Sequence, residues 1–207
     1  MQTRVDTLAA GTLLRAVAAR ADLSAAFRAA VVLFATVLTI AAAQVSIPLP
    51  FTPVPFTLQP MVVLLAGAAL GSRLGMTSQI MYLALGAAGL PVFAASPVLP
   101  QGVARLLGPT GGYLMSYPIA AFVTGYFAEH GLDRRYLTSV LAMAAGLSVV
   151  FLFGVAWLAF GVPQLGVSVA IATGLVPFVP ADIFKILIAA TVLPASWRFL
   201  GRGSHLT

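Results

Sequence analysis

The chain has 207 residues, 60% of them hydrophobic and 8% charged, with a net charge of +6. A soluble domain carries roughly 25% charged residues, so this chain has too few to cover a globule, and a disordered segment would be far more polar. With no cysteine there is no disulfide, thiolate nucleophile or Cys-ligated metal, and a single lysine among scattered arginines does not make the basic face of a nucleic-acid binder.

Before the first long apolar run, Leu13, Leu14, Val17, Ala18 and Ala21 share one helical arc while Arg15, Arg20 and Asp22 fall outside it. The pattern predicts an amphipathic helix on the membrane surface, with a frayed tail as the alternative. Arg15 and Arg20 interrupt any signal-peptide core, and the apolar run continues into an ordinary span. A hydrocarbon core about 30 Å thick needs roughly 20 apolar residues per helix. Cutting the chain on that length gives six segments, at about Ala29–Ile47, Pro55–Leu70, Leu74–Phe93, Gly111–Ala128, Leu137–Val162 and Pro180–Leu200. Val167–Val176 is apolar but too short to cross, and is expected at the interface or against the bundle.

The expected fold class is an all-α integral membrane protein, a bundle of six transmembrane helices. Its parts are an interfacial segment 1–27, a membrane domain 28–200 and a tail 201–207. Arginine orients it. With six spans, Arg4, Arg15, Arg20, Arg28, Arg73, Arg134, Arg135, Arg198 and Arg202 lie on one side and Arg105 on the other. Cytoplasmic flanks collect Lys and Arg, so both termini are expected in the cytoplasm. The cytoplasmic connections are short, whereas Pro91–Pro109 and Pro163–Pro177 on the outer side are long, apolar and punctuated by proline, as ordered caps over a cavity would be.

Small residues recur every four positions in the first segment, at Ala35, Thr39 and Ala43. The spacing permits close helix contact, either within the chain or with another membrane subunit. In Phe51-Thr52-Pro53-Val54-Pro55-Phe56-Thr57-Leu58-Gln59-Pro60, Thr57 and Gln59 follow prolines. They either repair backbone groups freed by those breaks or face a ligand. Tyr82 is a weaker candidate, since hydrogen bonding between helices accounts for such residues in spans. Arg105 is an anion clamp, its planar fork matching a carboxylate, or an interfacial anchor. The run Gly108-Pro109-Thr110-Gly111-Gly112-Tyr113 suits a tight turn; it is not a phosphate loop, and no Walker A pattern occurs anywhere.

The pair Asp182 and Lys185 is the most informative feature. Spacing of i,i+3 makes the two neighbours on one helix face, and Pro180 at the first helical position leaves Asp182 in the first turn, where the helix dipole favours an anion. Charges in a membrane segment are costly unless paired or wet. Either the pair binds a ligand, carboxylate accepting N–H bonds and ammonium donating to a carbonyl or carboxylate, or it satisfies itself. No catalytic residue is assigned. His130 and His205 stand apart in a loop and a tail, neither a metal-protease nor a serine-hydrolase motif occurs, and no metal set is present.

Taken together and in order, Ile47-Pro48-Leu49-Pro50-Phe51, Phe56-Thr57-Leu58-Gln59, Leu64-Leu65-Ala66-Gly67, Tyr82-Leu83-Ala84-Leu85-Gly86, Gly89-Leu90-Pro91-Val92-Phe93-Ala94, Leu107 through Tyr113 and Pro180-Ala181-Asp182-Ile183-Phe184-Lys185 resemble the BioY family. Its members are the biotin-specific S components of energy-coupling factor (ECF) transporters, and the resemblance covers roughly residues 28–200. It implies a six-helix S-component fold in the plasma membrane and high-affinity capture of biotin from outside. It also implies transport driven by a separate transmembrane scaffold subunit and two ATPase subunits, with no cofactor beyond the transported biotin. Carried over by position, the biotin contacts fall on Asp182 and Lys185, then on Arg105, with Tyr82, Gln59 and Tyr113 in matching segments. The face of Ala35, Thr39 and Ala43 corresponds to the scaffold contact. The stretch Ala94 through Gln101 departs from the family's glycine-rich form. Two other function classes are a stand-alone biotin or small-solute transporter and, more distantly, an intramembrane lipid enzyme, which would need a nucleophile or metal set.

Overall fold

In hydrocarbon a chain satisfies its own N–H and C=O groups only as a helix or a closed barrel, and the computed structural model is helical almost throughout. It describes residues 12–14, 24–96, 99–162 and 165–202. Helix α1 (Ala25–Gln44) is capped by Ser24, whose Oγ accepts the Phe27 N–H at 3.2 Å. A two-residue antiparallel pair follows, β1 (Ser46–Ile47) with β2 (Phe56–Thr57), in the register Ser46 opposite Thr57. Then come α2 (Gln59–Leu70), α3 (Ser72–Ala87), the short α4 (Val103–Leu107), α5 (Gly111–Glu129) and α6 (Tyr136–Ala156), which runs into a π-helical turn, Trp157–Gly161. Helix α7 (Gly166–Gly174) and the long α8 (Val179–Arg202) complete the described chain.

Helices α1, α2, α3, α5, α6 and α8 stand where the six apolar segments were expected. Three of the described helices are long and apolar enough to cross a membrane: Ala25–Gln44, Tyr136–Gly161 and Val179–Phe199. The second segment differs most from expectation. It becomes helical at Gln59 rather than Pro55, because prolines 53 and 55 cannot donate and Phe56-Thr57 is held in the pair with β1. Its 12 residues reach only about 18 Å at 1.5 Å per residue. Helix α7 has nine residues, as short as its sequence suggested. The expected N-terminal amphipathic helix lies outside the described residues except for Thr12, Leu13 and Leu14, of which Thr12 and Leu14 are buried.

Helix α5 is the centre of the bundle, packing against α2, α3 and α6. Glycines let the backbones meet there. A Cβ on Gly75 would stand 2.7 Å from the Gly67 Cα, and one on Gly125 2.5 Å from the Ser72 nitrogen. Helix α1 docks on α3 through buried polar groups: Thr36 donates to the Ser78 carbonyl at 3.0 Å, and Gln79 Nε2 donates to Thr39 Oγ1 at 3.2 Å. This corrects the expectation of a partner-facing stripe. Ala35, Thr39 and Ala43 are all buried inside the chain, so the small-residue face is used for intramolecular packing. The face α1 leaves open is the large apolar one of Leu33, Phe34, Val37 and Leu38, which suits lipid or another membrane subunit.

At the end of the bundle where α2 turns into α3, Gly71 adopts φ 90°, a left-handed conformation natural to glycine. The Glu129 carboxylate, at the end of α5, caps the first turn of α3. It accepts the Ser72 N–H at 3.0 Å and the Ser72 hydroxyl at 3.1 and 3.0 Å. Nearby, Trp197 on α8 donates to Asp133 Oδ2 at 2.6 Å, and the Arg134 guanidinium lies over the Trp197 ring at 4.9 Å.

Candidate functional site

At the opposite end, the strap between β1 and α2 leaves regular structure at Pro53 and Pro55, which have no N–H to donate, before Phe56-Thr57 pairs with β1. Non-helical backbone at membrane depth is tolerated only when buried in protein or beside a cavity. Here it has both. Val54, Pro55 and Thr57 line two adjoining cavities of about 40 Å³ each.

The first cavity is bordered by Asp182 and Lys185, with Phe178 and Val150. The expected neighbour relation is realised: Lys185 Nζ lies 2.7 Å from Asp182 Oδ1, both residues being buried. The ammonium also donates to the Thr57 carbonyl at 2.6 Å and stands 3.6 Å from the centre of the Phe56 ring. Lys185 therefore pins the strap to α8, with two of its three N–H donors committed and its ammonium against the Phe56 ring. Asp182 keeps Oδ2 without a protein donor among the described residues.

The second cavity is bordered by Arg105, Thr110, Gln59 and Phe93. Arg105 is 2% exposed and reaches the Ala94 carbonyl through Nη2. Its Nε and the Thr110 hydroxyl are buried without a partner. Arg105 and Thr110 thus border this cavity with two donors that no described residue receives.

Gln59, Tyr82 and Tyr113 are present at the site, but their polar atoms are spent within the fold. Gln59 Nε2 donates to the Tyr82 hydroxyl at 2.6 Å, and that hydroxyl donates to the Val92 carbonyl at 3.4 Å. Thr57 Oγ1 donates to Gln59 Oε1 and accepts the Gln59 N–H, so the pair also repairs the proline-broken backbone. Tyr82 sits edge-on to Phe93 at 5.5 Å. Tyr113 borders both cavities with its ring, filling a notch at Gly154, and its hydroxyl donates to the Gly174 carbonyl at 2.8 Å, tying α5 to the end of α7.

Sequence reasoning missed two groups, Thr110 and Tyr117. Tyr117 borders both cavities and is 4% exposed. It follows Tyr113 by four residues, so the i,i+4 rule places both on one face of α5; that spacing was the available signal. Thr110 had none, since its turn composition accounts for it equally well. The result is an elongated apolar site with a carboxylate at one end, a guanidinium at the other and tyrosine between. Among the described residues no group of His, Cys, Asp and Glu could hold a metal ion.

The model of the BioY family matches residues 9–202. The chain is 42% identical over 168 residues to a probable biotin transporter BioY of Pyrococcus horikoshii, covering 79% of this chain and 90% of that protein. It is 40% identical over 160 residues to the biotin transporter BioY of Thermotoga maritima, covering 76% and 88% respectively. A crystal structure of the S-component for biotin from an ECF-type ABC transporter superposes with a TM-score of 0.74 at 27% identity, over 82% of this chain and 90% of that one.

Proposed function

The chain belongs to the BioY family, and on that premise we propose that it is the membrane subunit that binds biotin for uptake. It is a transport protein, not an enzyme. The observation that carries the site assignment is the buried Asp182–Lys185 pair bordering a cavity that adjoins the unpaired donors of Arg105 and Thr110. Biotin matches that arrangement end for end. Its urea offers an N–H to the free Asp182 oxygen. Its carboxylate suits the Arg105 fork with the Thr110 hydroxyl, and its apolar ring and chain suit Val54, Val150 and Phe178. Gln59, Tyr82 and Tyr113 shape the site through their bonds to one another and to the backbone.

The two cavities are small beside the roughly 300 Å³ or more of ordinary ligand pockets. Binding therefore requires the strap of Val54, Pro55 and Thr57, which lines both, to shift and merge them. Lys185 holds the strap by a single carbonyl. In the full reading the protein is a six-helix S component of the plasma membrane with both termini cytoplasmic. Without a Walker A motif of its own, it works with a transmembrane scaffold and two ATPase subunits. The outer face of α1, not its small-residue face, is the one open to that scaffold.

Calorimetry on the purified chain with biotin and with an analogue lacking the carboxyl group tests the ligand and the cation together. Tight biotin binding, weakened for the analogue, is expected; no heat with biotin would overturn the proposal. Uptake into liposomes by the chain alone would favour the stand-alone transporter.

A further inference from the structure

Three tyrosines lie at or beside the site, Tyr113 and Tyr117 bordering the cavities and Tyr82 behind Gln59, and the fold uses the hydroxyls of two. Tyr82 accepts from Gln59 and donates to Val92, and Tyr113 donates to Gly174. Tyr117 differs. It is 4% exposed, yet among the described residues nothing hydrogen-bonds its hydroxyl. It borders both cavities and has Asp182, Tyr82 and Tyr113 as electrostatic neighbours. The hydroxyl thus gains no hydrogen bond from the described fold, and phenylalanine would fill the same space. Packing alone therefore does not account for the oxygen.

We propose that the Tyr117 hydroxyl is a specificity group for the transported ligand, donating its proton to the urea carbonyl of biotin. The inference rests on the biotin reading above and goes beyond it by assigning the carbonyl. Along the edge of a cyclic urea, each N–H is adjacent to the C=O. A carboxylate that accepts an N–H can do nothing for the neighbouring carbonyl, which needs a donor beside Asp182. Lys185 already commits two of its three N–H donors to Asp182 and the Thr57 carbonyl and turns its ammonium onto the Phe56 ring, which leaves it less suited to the task. Arg105 and Thr110 border the second cavity and not the first. Tyr117 borders both, and its hydroxyl is the uncommitted donor next to the carboxylate. The pairing also discriminates, because a site built to donate to a carbonyl rejects a ligand without one by leaving its own donor unpaired.

The test is Tyr117→Phe in the full chain. Its affinity, relative to wild type, is measured by calorimetry for biotin, for desthiobiotin, which keeps the urea but lacks the thioether, and for biotin methyl ester. Thermal unfolding is followed without ligand. The ratio of wild-type to variant affinity is expected to be about tenfold and equal for all three ligands, with the unliganded unfolding midpoint unchanged or raised. An unchanged biotin affinity overturns the inference. So does a ratio that collapses to one for the methyl ester, which would move the hydroxyl to the carboxylate, or for desthiobiotin, which would move it to the sulfur. A lowered midpoint without ligand would make the hydroxyl structural and also overturn it. Failure of the wild-type protein to bind biotin is a separate result, and sinks the proposed function itself.

Discussion

The two ends of the bundle treat buried polar groups in opposite ways. Where α2 turns into α3, the Glu129 carboxylate receives the N–H and hydroxyl of Ser72, so its charge is consumed in joining α3 to α5. Where the strap enters between α2 and α8, Arg105 Nε and Thr110 Oγ1 are buried without a partner, and Asp182 Oδ2 and the Tyr117 hydroxyl make no hydrogen bond, among the described residues; all four residues border cavities. Leaving a buried polar atom unpaired costs about 1–3 kcal/mol, and two such atoms, Arg105 Nε and Thr110 Oγ1, beside one cavity are hard to explain by folding alone. Spent groups mark structure, and unspent groups beside a cavity mark a binding site. Gln79 Oε1 and Asp133 Oδ1 look like exceptions, both buried without a partner among the described residues, but neither residue borders either cavity, and Asp133 is moreover ionisable. Burial pushes its carboxyl above the ordinary value, the Trp197 bond and the Arg134 charge opposing.

That contrast is open to breaking. The largest effect is expected at the buried pair, because removing one member strands the other at a cost of about 3 kcal/mol. Lys185→Ala and Asp182→Asn should each weaken biotin binding at least about tenfold while the purified protein still runs as a folded species in size exclusion. Wild-type affinity in both variants would remove the site from this end of the bundle.

At the other end the signature should invert. Glu129→Ala strands two Ser72 donors, and a loss of about 2 kcal/mol of stability is expected, read as a lower unfolding midpoint, with calorimetric biotin affinity within about twofold of wild type. A binding loss as large as that of Lys185→Ala would abolish the distinction between the two ends.

Tyr82→Phe sharpens the comparison inside the site. It cuts the Gln59–Tyr82–Val92 relay, so about 1 kcal/mol should be lost chiefly from stability. A pure affinity loss would make Tyr82 a direct contact instead.

The smallest effect concerns Asp133. Because its folded-state pKa is raised, its contribution to stability is fully present below the unfolded carboxyl value and is lost as pH rises through the folded one. Asp133→Asn, which keeps an acceptor for Trp197, should therefore stabilise the protein at neutral pH by about 1 kcal/mol. The gain should vanish in acid; equal unfolding midpoints at pH 7 would contradict it.

Much of this was legible in the sequence. Asp182 and Lys185 were readable because both their i,i+3 spacing and the cost of charge in a membrane are local facts. Arg105 was readable as the one arginine outside the basic side. Gln59 and Tyr82 were singled out, but their bond to each other spans 23 positions of chain, and no local rule could make them partners. Tyr117 was hidden by an apolar context in which a tyrosine is usually packing.

By itself the sequence determined the solvent, the class and the helices: too few charges for a water-facing surface, and apolar runs that can satisfy their backbones only as helices. Spacing also established that Ala35, Thr39 and Ala43 share a face. Which neighbour that face meets was decided by the tertiary structure alone, through Gln79 of α3 reaching Thr39, as was the strap's place beneath Lys185. Periodicity is a property of one helix, whereas contact, burial and an unspent hydrogen bond belong to a pair of elements, and they exist only once the chain has brought those elements together.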